Sequence, residues 1–480
     1  MTVAAPAGCA DLAGELAAGL RAGTVITDPD VLAGYSRDQL MAGEAGRPAA
    51  AVLARSRAEV QHVLATASRY RIPVVPQGAR SGLAGAANAV EGCILLGLHQ
   101  MNAILDIDPA NRLAVVEPGV VNAELSAAAA AHGLYYPPDP ASRRMSTLGG
   151  NIATNAGGLC CVKYGVTREY VLGLEVVLAS GEVLVTGRRT VKGVAGYDLT
   201  GLLVGSEGTL AVTTQATLAL RPVVDAPLTM VATFASVPDA GAAIAAIVAG
   251  GQVPAMLELI DRVHIRAIEA YRPMGLDTDA ALMLLAQADT GERACADLRE
   301  LAATCREFGA TEIAEASDAA ESDMLLEARR IAYTALEHTG RVIVEDVCVP
   351  RSRLAEFLCA TEAIAAASDL VIGILGHAGD GNIHPNIVVP HDDPAALARA
   401  LLAFDQIMGL ALTMGGTITG EHGVGSLKRG WLAREIGPLG LSLHRGIKAI
   451  FDPDNILNPG KVFAPAGWPG PSFQQQARLA

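Results

Sequence analysis

The sequence predicts an α+β fold built from two domains. The chain has 480 residues, and single hydrophobic cores stop growing at roughly 250–300 residues, so more than one domain is expected. The first half alternates short apolar runs with glycine-rich turns, which is typical of a strand-rich domain, whereas the second half carries longer helical patterns. Because the change follows Arg221-Pro222, we predict domains over residues 45–222 and 223–465.

Two helices can be placed in the first half from their end signals. The segment Ser56–Arg71 begins with a serine and has Glu59 three residues later, which is typical of a capping box. The segment Asn122–His132 is followed by Gly133, a common residue just beyond a helix. Strands are predicted between the turns, over residues 51–53, 72–76, 93–96 and 113–116.

In the second half, helical patterns of several turns are separated by strand candidates at residues 283–285 and 342–344. The helices are predicted over residues 240–250, 262–270, 292–308, 324–337, 353–367 and 394–414.

Composition excludes several classes of function. The net charge is −14 with no basic run, so a polyanionic partner would be repelled and nucleic-acid binding is not expected. The eight cysteines form no C-x-x-C pair, so any iron–sulfur centre would lie on another chain, and their scatter favours a reducing compartment. The apolar window 228–250 contains Pro238 and Asp239 and falls short of the ~20 apolar residues of a spanning helix. We therefore expect a cytoplasmic protein whose membrane contact, if any, is peripheral to the inner face.

Three glycine-rich segments occur in the first domain, at Pro76–Gly85, Ser146–Gly158 and Leu202–Val212. Glycines allow backbone N–H groups to converge on a phosphate, and three such segments suit one extended ligand. Neither G-x-G-x-x-G after the first strand nor G-x-x-x-x-G-K-[ST] is present in these loops, which argues against a Rossmann dinucleotide site and against a P-loop.

A histidine cluster marks the second domain. His377 and His384 flank a Gly-Asp-Gly turn that lets the chain double back, and Glu421 and His422 add a carboxylate and a third imidazole. Two histidines and one carboxylate form a common ligand set for zinc, manganese or iron(II). Such a Lewis acid would lower the pKa of a substrate hydroxyl, and a neutral imidazole could take the proton.

Together these motifs resemble the vanillyl-alcohol-oxidase/p-cresol-methylhydroxylase (PCMH) superfamily. The second half narrows the resemblance to the branch of the glycolate oxidase large subunit, D-lactate dehydrogenase and D-2-hydroxyglutarate dehydrogenase, from about residue 45 to 463. The resemblance implies a two-part PCMH-type FAD-binding domain, followed by an α+β FAD-linked oxidase C-terminal domain that carries the substrate and metal sites.

By this resemblance, the first glycine-rich loop wraps the FAD pyrophosphate, the second runs under the isoalloxazine and ribityl chain, and the third meets the adenine side. Ser81 stands where some relatives have a histidine that bonds to the flavin, so non-covalent FAD is expected; Arg80 departs from the usual glycine or asparagine. The implied FAD-binding residues are Pro76, Gly78, Ala79, Arg80, Ser81, Gly82, Leu83, Pro138, Asp139, Thr147, Gly150, Asn151, Thr154, Asn155, Gly157, Gly158, Gly165, Glu207, Gly208, Val212 and Asn458.

The resemblance also implies catalytic roles. His377, His384 and Glu421 would hold a divalent metal, zinc or manganese, and His422 would be the general base while the Cα hydride passes to flavin N5. Arg330 and Thr334 match an Arg-x-x-x-Thr that grips the substrate carboxylate, and Asn386 matches a further polar substrate contact.

The expected reaction is oxidation of a small D-2-hydroxy acid to the 2-oxo acid. Glu345 stands where the alignment to the hydroxyglutarate enzymes places a lysine, which favours D-lactate or glycolate over D-2-hydroxyglutarate. Two other readings stay open: a non-catalytic FAD-binding subunit and an alkyl-transfer flavoenzyme of the same fold. The electron acceptor is left open among a quinone, a cytochrome, an electron-transfer flavoprotein and oxygen, as are a separate iron–sulfur subunit and a homodimer.

Overall fold

The computed structural model describes residues 12–464, apart from residues 42, 44, 225, 226 and 392. This part of the chain divides into two compact units. The first unit contains the residues up to Gly157, Val166–Val223 and the segment that begins at His422. The second unit contains Gly158–Gly165 and Val224–Glu421. Each unit is therefore assembled from separate stretches of sequence.

The first unit contains two main sheets. In the first, β1 pairs antiparallel with β2, and β2, β4 and β3 run parallel in that order. The second is antiparallel, in the order β5-β6-β10-β8-β9, and β7 pairs with β11 as a short ribbon. The strands are β1 (Val25–Ile26), β2 (Ala50–Leu53), β3 (Val74–Gln77), β4 (Ile94–Gly97), β5 (Ile104–Asp108), β6 (Leu113–Val116), β7 (Leu134–Tyr135), β8 (Val171–Val177), β9 (Val183–Gly187), β10 (Val212–Ala219) and β11 (Arg221–Pro222).

Helix ends in this unit follow the sequence signals. The side chain of Ser56 accepts a hydrogen bond from the Glu59 amide and starts the helix Arg57–Tyr70, as predicted. The second predicted helix ends earlier, at Ala130, because the amides of His132 and Gly133 bond to carbonyls three residues back and tighten the last turn. The α-helices of the first unit are Leu12–Ala18, Pro29–Tyr35, Arg57–Tyr70, Asn122–Ala130, Leu148–Thr154, Leu199–Leu203 and Leu432–Phe451, the last interrupted at Gly437.

The end of the chain completes the core of the first unit. The amide of Val74 in β3 donates to the carbonyl of Ile456, and the amide of Asn458 donates to the carbonyl of Val74. Ile456 and Leu457 are buried beside the strands and the helix Arg57–Tyr70. The segment after His422 supplies apolar residues and backbone partners to this sheet. It belongs to the first unit for that reason.

The second unit is built on one antiparallel sheet of eight strands, in the order β15-β12-β14-β13-β18-β19-β16, with β17 also paired to β19. Its strands are β12 (Leu228–Phe234), β13 (Met256–Asp261), β14 (Leu282–Ala288), β15 (Ala310–Glu315), β16 (Arg341–Val344), β17 (Val347–Cys348), β18 (Val371–His377) and β19 (Asn382–Val389). The predicted strands at residues 283–285 and 342–344 are confirmed within β14 and β16.

All six helices predicted for the second unit are present, with shifted ends. The helix predicted from Met324 begins at Ala319, because Asp318 accepts hydrogen bonds from the amides of Ala320 and Glu321. The α-helices are Cys161–Tyr164, Val237–Ala249, Arg262–Tyr271, Ala294–Glu307, Ala319–Glu337, Leu354–Ser368 and Pro394–Thr413.

Among the described residues, one helix, Pro394–Thr413, is long and apolar enough by composition to cross a membrane. Its side chains Phe404, Ile407 and Met408 are fully buried within the second unit. This burial is typical of a core helix of a globular domain. The seven cysteines in the described part of the chain are all free thiols.

Candidate active site

The two histidines of the cluster lie on one β-hairpin of the second unit. His377 ends β18, His384 lies in β19, and the register pairs Leu375 with His384 and His377 with Asn382. Both imidazoles therefore project from the same face of the sheet, with ring centroids 5.2 Å apart. The turn requires Gly381, because φ is +84° there and a Cβ would lie 2.2 Å from a neighbouring carbonyl oxygen.

Glu421 joins the two histidines. Its Oε1 lies 3.2 Å from Nε2 of His377 and 3.2 Å from Nε2 of His384. One potential ligand atom from each residue lies within 4.8 Å of the others. The second unit thus brings together the three residues predicted to bind a metal, in a largely buried site with the composition of a divalent-cation centre.

Two residues that the sequence analysis did not single out, Glu258 and Arg329, form a hydrogen-bonded chain to the side of His377 that faces away from Glu421. Glu258 on β13 lies directly opposite His377 in the sheet, and its Oε1 is 2.5 Å from Nδ1 of His377. Its Oε2 accepts a hydrogen bond from Nε of Arg329 at 2.9 Å. A carboxylate bonded to the far nitrogen of a ligand histidine fixes the ring, so that the other nitrogen faces the metal position. The only sequence signal for Glu258 is a charged residue inside the apolar run Met256–Asp261.

The loop that carries Glu421 is held by Asp346, another residue that the sequence analysis missed. The buried Asp346 carboxylate accepts hydrogen bonds from the amides of Gly420 and Glu421 and from the hydroxyl of Thr419. It also accepts from Nδ2 of Asn382 on β19. The carboxylate therefore ties the Glu421 loop to the histidine hairpin.

The charges of the cluster stabilise one another. Burial alone would lower the pKa of His377, but Glu258 and Glu421 outweigh it and raise the pKa well above the usual histidine range. Burial raises the pKa of Glu421, but His377 and His384 outweigh this and hold it well below the usual glutamate range. Burial raises the pKa of Asp380, in the hairpin turn, to about 6.

Asn386 lies two residues beyond His384 on the same face of β19 and is almost fully buried. Its Nδ2 is 3.2 Å from Nε2 of His264, whose Nδ1 faces Asp261. Among the described residues, Oδ1 of Asn386 has no hydrogen-bond partner. Asn386 therefore offers an unsatisfied acceptor near the cluster.

The structure does not bring Arg330 and Thr334 to the histidines. Both are exposed, and the Arg330 guanidinium pairs with Asp323 and Glu327 of its own helix. Adjacent residues on a helix point about 100° apart, so the neighbouring Arg329 faces the sheet instead. Arg329, and not Arg330, pairs with the buried Glu258, and the substrate contact of Arg330 and Thr334 stays a prediction. Glu345 is fully buried, and its Oε1 accepts from the amide of Asp346.

The first glycine-rich loop lies in the first unit, directly after β3. A Cβ on Gly78 would lie 2.3 Å from Oγ1 of Thr147, which caps the helix Leu148–Thr154. The first two glycine-rich segments therefore lie in close contact at Gly78 and Thr147. Arg80 has φ of +56°, and its guanidinium lies 4.6 Å from the ring centroid of Tyr35.

Several buried polar atoms flank these segments without a partner among the described residues. They are Oε1 of Gln77, Oγ of Ser146 and Oδ1 of Asn458. Buried polar atoms are almost always satisfied, so a polar ligand is the expected partner. The residues present thus fit a polar cofactor that lies along the loops.

The remaining predicted FAD-binding residues divide between the units. Asn151 and Pro138 each accept from the side chain of Asn122, and this group belongs to the first unit. Gly158 and Gly165 belong to the second unit. The first unit also holds Ala79, Ser81, Gly82, Leu83, Asp139, Gly150, Thr154, Asn155, Gly157, Glu207, Gly208, Val212 and Asn458.

Comparison with known proteins agrees with this architecture. Residues 48–187 match the FAD binding domain family, and residues 226–462 match the family of FAD linked oxidases, C-terminal domain. The glycolate oxidase subunit GlcD of Bacillus subtilis is 42% identical over 422 residues, covering 87% of this chain and 89% of its own. A D-lactate dehydrogenase of Anaerostipes hadrus is 34% identical over 448 residues, covering 91% of this chain and 94% of its own.

Among solved structures, p-cresol methylhydroxylase with substrate bound superposes with a TM-score of 0.78 at 20% identity, covering 95% of this chain and 96% of its own. An alkyldihydroxyacetonephosphate synthase gives a TM-score of 0.73 at 19% identity, covering 94% and 85%. These likenesses establish the PCMH-type fold of mixed helix and sheet, which confirms the predicted fold class.

The chain is an FAD-binding oxidoreductase of the class that acts on CH–OH donors. It belongs to the FAD-linked oxidase family that includes the glycolate oxidase subunit and D-lactate dehydrogenase relatives.

Proposed function

We propose that this chain oxidises a small 2-hydroxy acid, either the D enantiomer of lactate or the achiral glycolate, to the 2-oxo acid with the help of a divalent metal. The observation that carries the proposal is the buried set of His377, His384 and Glu421, with both Nε2 atoms 3.2 Å from one carboxylate oxygen. The relatives named glycolate oxidase subunit and D-lactate dehydrogenase support the same substrate class, because both named substrates are 2-hydroxy acids.

His377, His384 and Glu421 would hold the metal, which when bound supplies a Lewis acid for the carboxylate and hydroxyl of the substrate. Glu258 keeps Nδ1 of His377 occupied, so that Nε2 remains available as a ligand. Asp346 holds the backbone of Glu421 and so fixes the position of its carboxylate.

His422 directly follows Glu421 in the chain, and we propose that it takes the proton of the substrate hydroxyl. Asn386 offers its unpaired Oδ1 as a further polar contact. FAD, when bound, supplies the acceptor for the hydride that leaves Cα. The loop from Pro76 and the segment from Thr147 would hold FAD, and Ser81 offers no imidazole for a covalent bond.

The proposal also covers the cellular compartment of the enzyme and the acceptor of its electrons. We propose a cytoplasmic protein that passes electrons to a quinone, a cytochrome, an electron-transfer flavoprotein or oxygen, with a separate iron–sulfur subunit as one route. The subunit names of the GlcD relatives support an assembly with other chains.

The test is anaerobic mixing of the purified holoprotein with D-lactate, L-lactate, glycolate and D-2-hydroxyglutarate, monitored by flavin absorbance. We expect bleaching by D-lactate or glycolate that a chelator abolishes and added metal restores. A His384→Asn variant should keep its flavin and lose the reaction, whereas a His132→Asn variant, in an exposed turn, should react normally. Lack of bleaching in metal-replete protein would refute the proposal and favour the non-catalytic or alkyl-transfer alternatives.

A further inference from the structure

Glu207 of the first unit holds a backbone loop with both carboxylate oxygens. Its Oε1 accepts a hydrogen bond from the Val424 amide and its Oε2 from the Gly425 amide, each at 2.8 Å. The side chain is almost fully buried, and the residue itself has φ of +53°, in the left-handed region. Each carboxylate oxygen accepts one backbone N–H, so Glu207 holds the loop at two successive amides.

The loop concerned begins directly after His422. Gly423 has φ of +88° and Gly425 has φ of +52°, and a Cβ on Gly425 would lie 2.0 Å from the carbonyl oxygen of Ala84. The carbonyl of Ala84 in turn accepts from the amides of Ser426 and Leu427. The loop is thus shaped for close backbone packing, with the Glu207 carboxylate as a side-chain partner of its amides.

Both backbone polar groups of Glu207 are also hydrogen-bonded. Its amide donates to the carbonyl of Ala153 in the helix Leu148–Thr154, and its carbonyl accepts from Nδ2 of Asn458. Glu207 therefore links the second glycine-rich segment, through its amide, to the loop after His422, through its carboxylate, and every contact lies within the first unit.

We infer that Glu207 is a positioning residue for His422, acting through the Val424 and Gly425 amides. The resemblance implied an adenine contact for Glu207, but the geometry directs both oxygens to this loop. The functional half of the inference rests on the proposed role of His422 as general base. A base must lie within hydrogen-bond reach of the proton that it takes, so a small displacement of its loop would slow the reaction.

The structural half is tested by hydrogen–deuterium exchange of the wild-type holoprotein. The amides of Val424 and Gly425 should exchange slowly, and Glu207→Gln should speed exchange of residues 422–427 by about tenfold or more, since a neutral amide cannot accept both N–H groups equally well. Glu207→Asp retains the charge and should show partial protection. Rapid wild-type exchange at these amides would overturn the inference, whatever the reaction proves to be.

The functional half uses a double-mutant cycle with His422→Asn, read as the anaerobic rate of flavin reduction at saturating substrate. Glu207→Gln should slow the wild type by about 10- to 100-fold, as expected when a buried backbone N–H loses its acceptor, and should have little further effect in the His422→Asn background. Glu59→Gln, another buried carboxylate of the first unit that accepts from the Arg55 amide, is the matched control and should leave the rate unchanged.

The outcomes separate the two proposals. Equal slowing in both backgrounds would show that Glu207 acts independently of His422 and would overturn the positioning role. Absence of reduction in the wild type would defeat the proposed function, while the exchange measurement would still decide whether Glu207 holds the loop. Loss of FAD in Glu207→Gln with unchanged exchange at residues 422–427 would instead return Glu207 to a cofactor role.

Discussion

Oε1 of Glu258 lies 2.5 Å from Nδ1 of His377, and the two residues face each other across neighbouring strands β13 and β18. This pairing leaves Nε2 of His377 directed at Glu421. The geometry of the cluster is therefore fixed by strand register, because a one-residue slip would move Glu258 to the opposite face of the sheet.

Glu258→Gln should weaken divalent metal binding by about 10- to 100-fold, because the amide cannot stabilise the imidazole as a carboxylate does. The measurement is competitive titration with a chromogenic chelator. Glu269→Gln provides the control in the same unit, since that carboxylate accepts three backbone amides away from the cluster and should leave metal affinity unchanged. Equal affinity of Glu258→Gln and wild type would contradict the supporting role.

Neighbouring arginines of one helix should respond differently to substitution. Arg329→Gln removes the partner of a fully buried carboxylate and should destabilise the second unit by about 3–5 kcal/mol, as for other broken buried ion pairs. Arg330→Gln removes only exposed pairs and should cost less than about 1 kcal/mol. Urea unfolding of both variants gives the comparison, and a larger loss for Arg330→Gln would contradict the stabilising role of the buried Arg329–Glu258 pair.

Asp346→Asn should release the loop that carries Glu421. The carboxylate accepts from two backbone amides and the Thr419 hydroxyl, and an asparagine must turn its NH₂ group toward some of these donors. We expect a loss of about 1–3 kcal/mol in stability for the apoprotein and reduced metal content. Calorimetry and metal analysis of the purified variant check this, and unchanged metal content would indicate that Glu421 needs no such support.

Gly78→Ala should reduce FAD content, because the new Cβ would lie 2.3 Å from Oγ1 of Thr147 and force the two glycine-rich segments apart. Gly34→Ala is the control, since a Cβ at that helical position meets nothing within 4 Å. The ratio of flavin to protein absorbance reports occupancy. Acid denaturation of the wild type should release all of the flavin into solution, whereas flavin retained on the precipitate would contradict non-covalent binding.

The stability of the first unit should depend on the ionisation of Glu207. Burial raises its pKa from 4.5 to about 7, against the opposing effect of the Val424 and Gly425 amides, while Lys461 lowers it and Asp38 raises it. Because the pKa of Glu207 is higher in the folded than in the unfolded state, the folded state binds the proton more tightly. The resulting stabilisation is fully present below pH 4.5 and is lost as pH rises through about 7. Relative to Glu207→Gln, the wild type should lose at most about 3 kcal/mol between pH 4.5 and 7. A difference between the two proteins that does not vary with pH would contradict the shift.

Sequence patterns singled out three residues that the structure brings together, because His377 and His384 flank a recognisable turn and Glu421 lies two residues before Gly423. The sequence did not predict the roles of Glu258 and Asp346, because each acts through long-range strand pairing or loop contacts that no local motif encodes. Arg330 was singled out by the resemblance to an Arg-x-x-x-Thr motif, and the sequence gives no signal for the contact of Arg329 with Glu258, which depends on how the helix packs against the sheet. The apolar strands were readily located, whereas the helix ends depended on caps such as Asp318.

The pairing of Val74 with residues 456–458 has a consequence for how the protein is made. Strand β3 leaves the ribosome about 380 residues before its last backbone partner. At roughly 5–20 residues per second, this delay is on the order of 20–80 s. One edge of β3 pairs with β4 early, but the other edge stays without its backbone partner while the whole second unit is synthesised, so translation speed and chaperone supply should limit the yield of soluble protein.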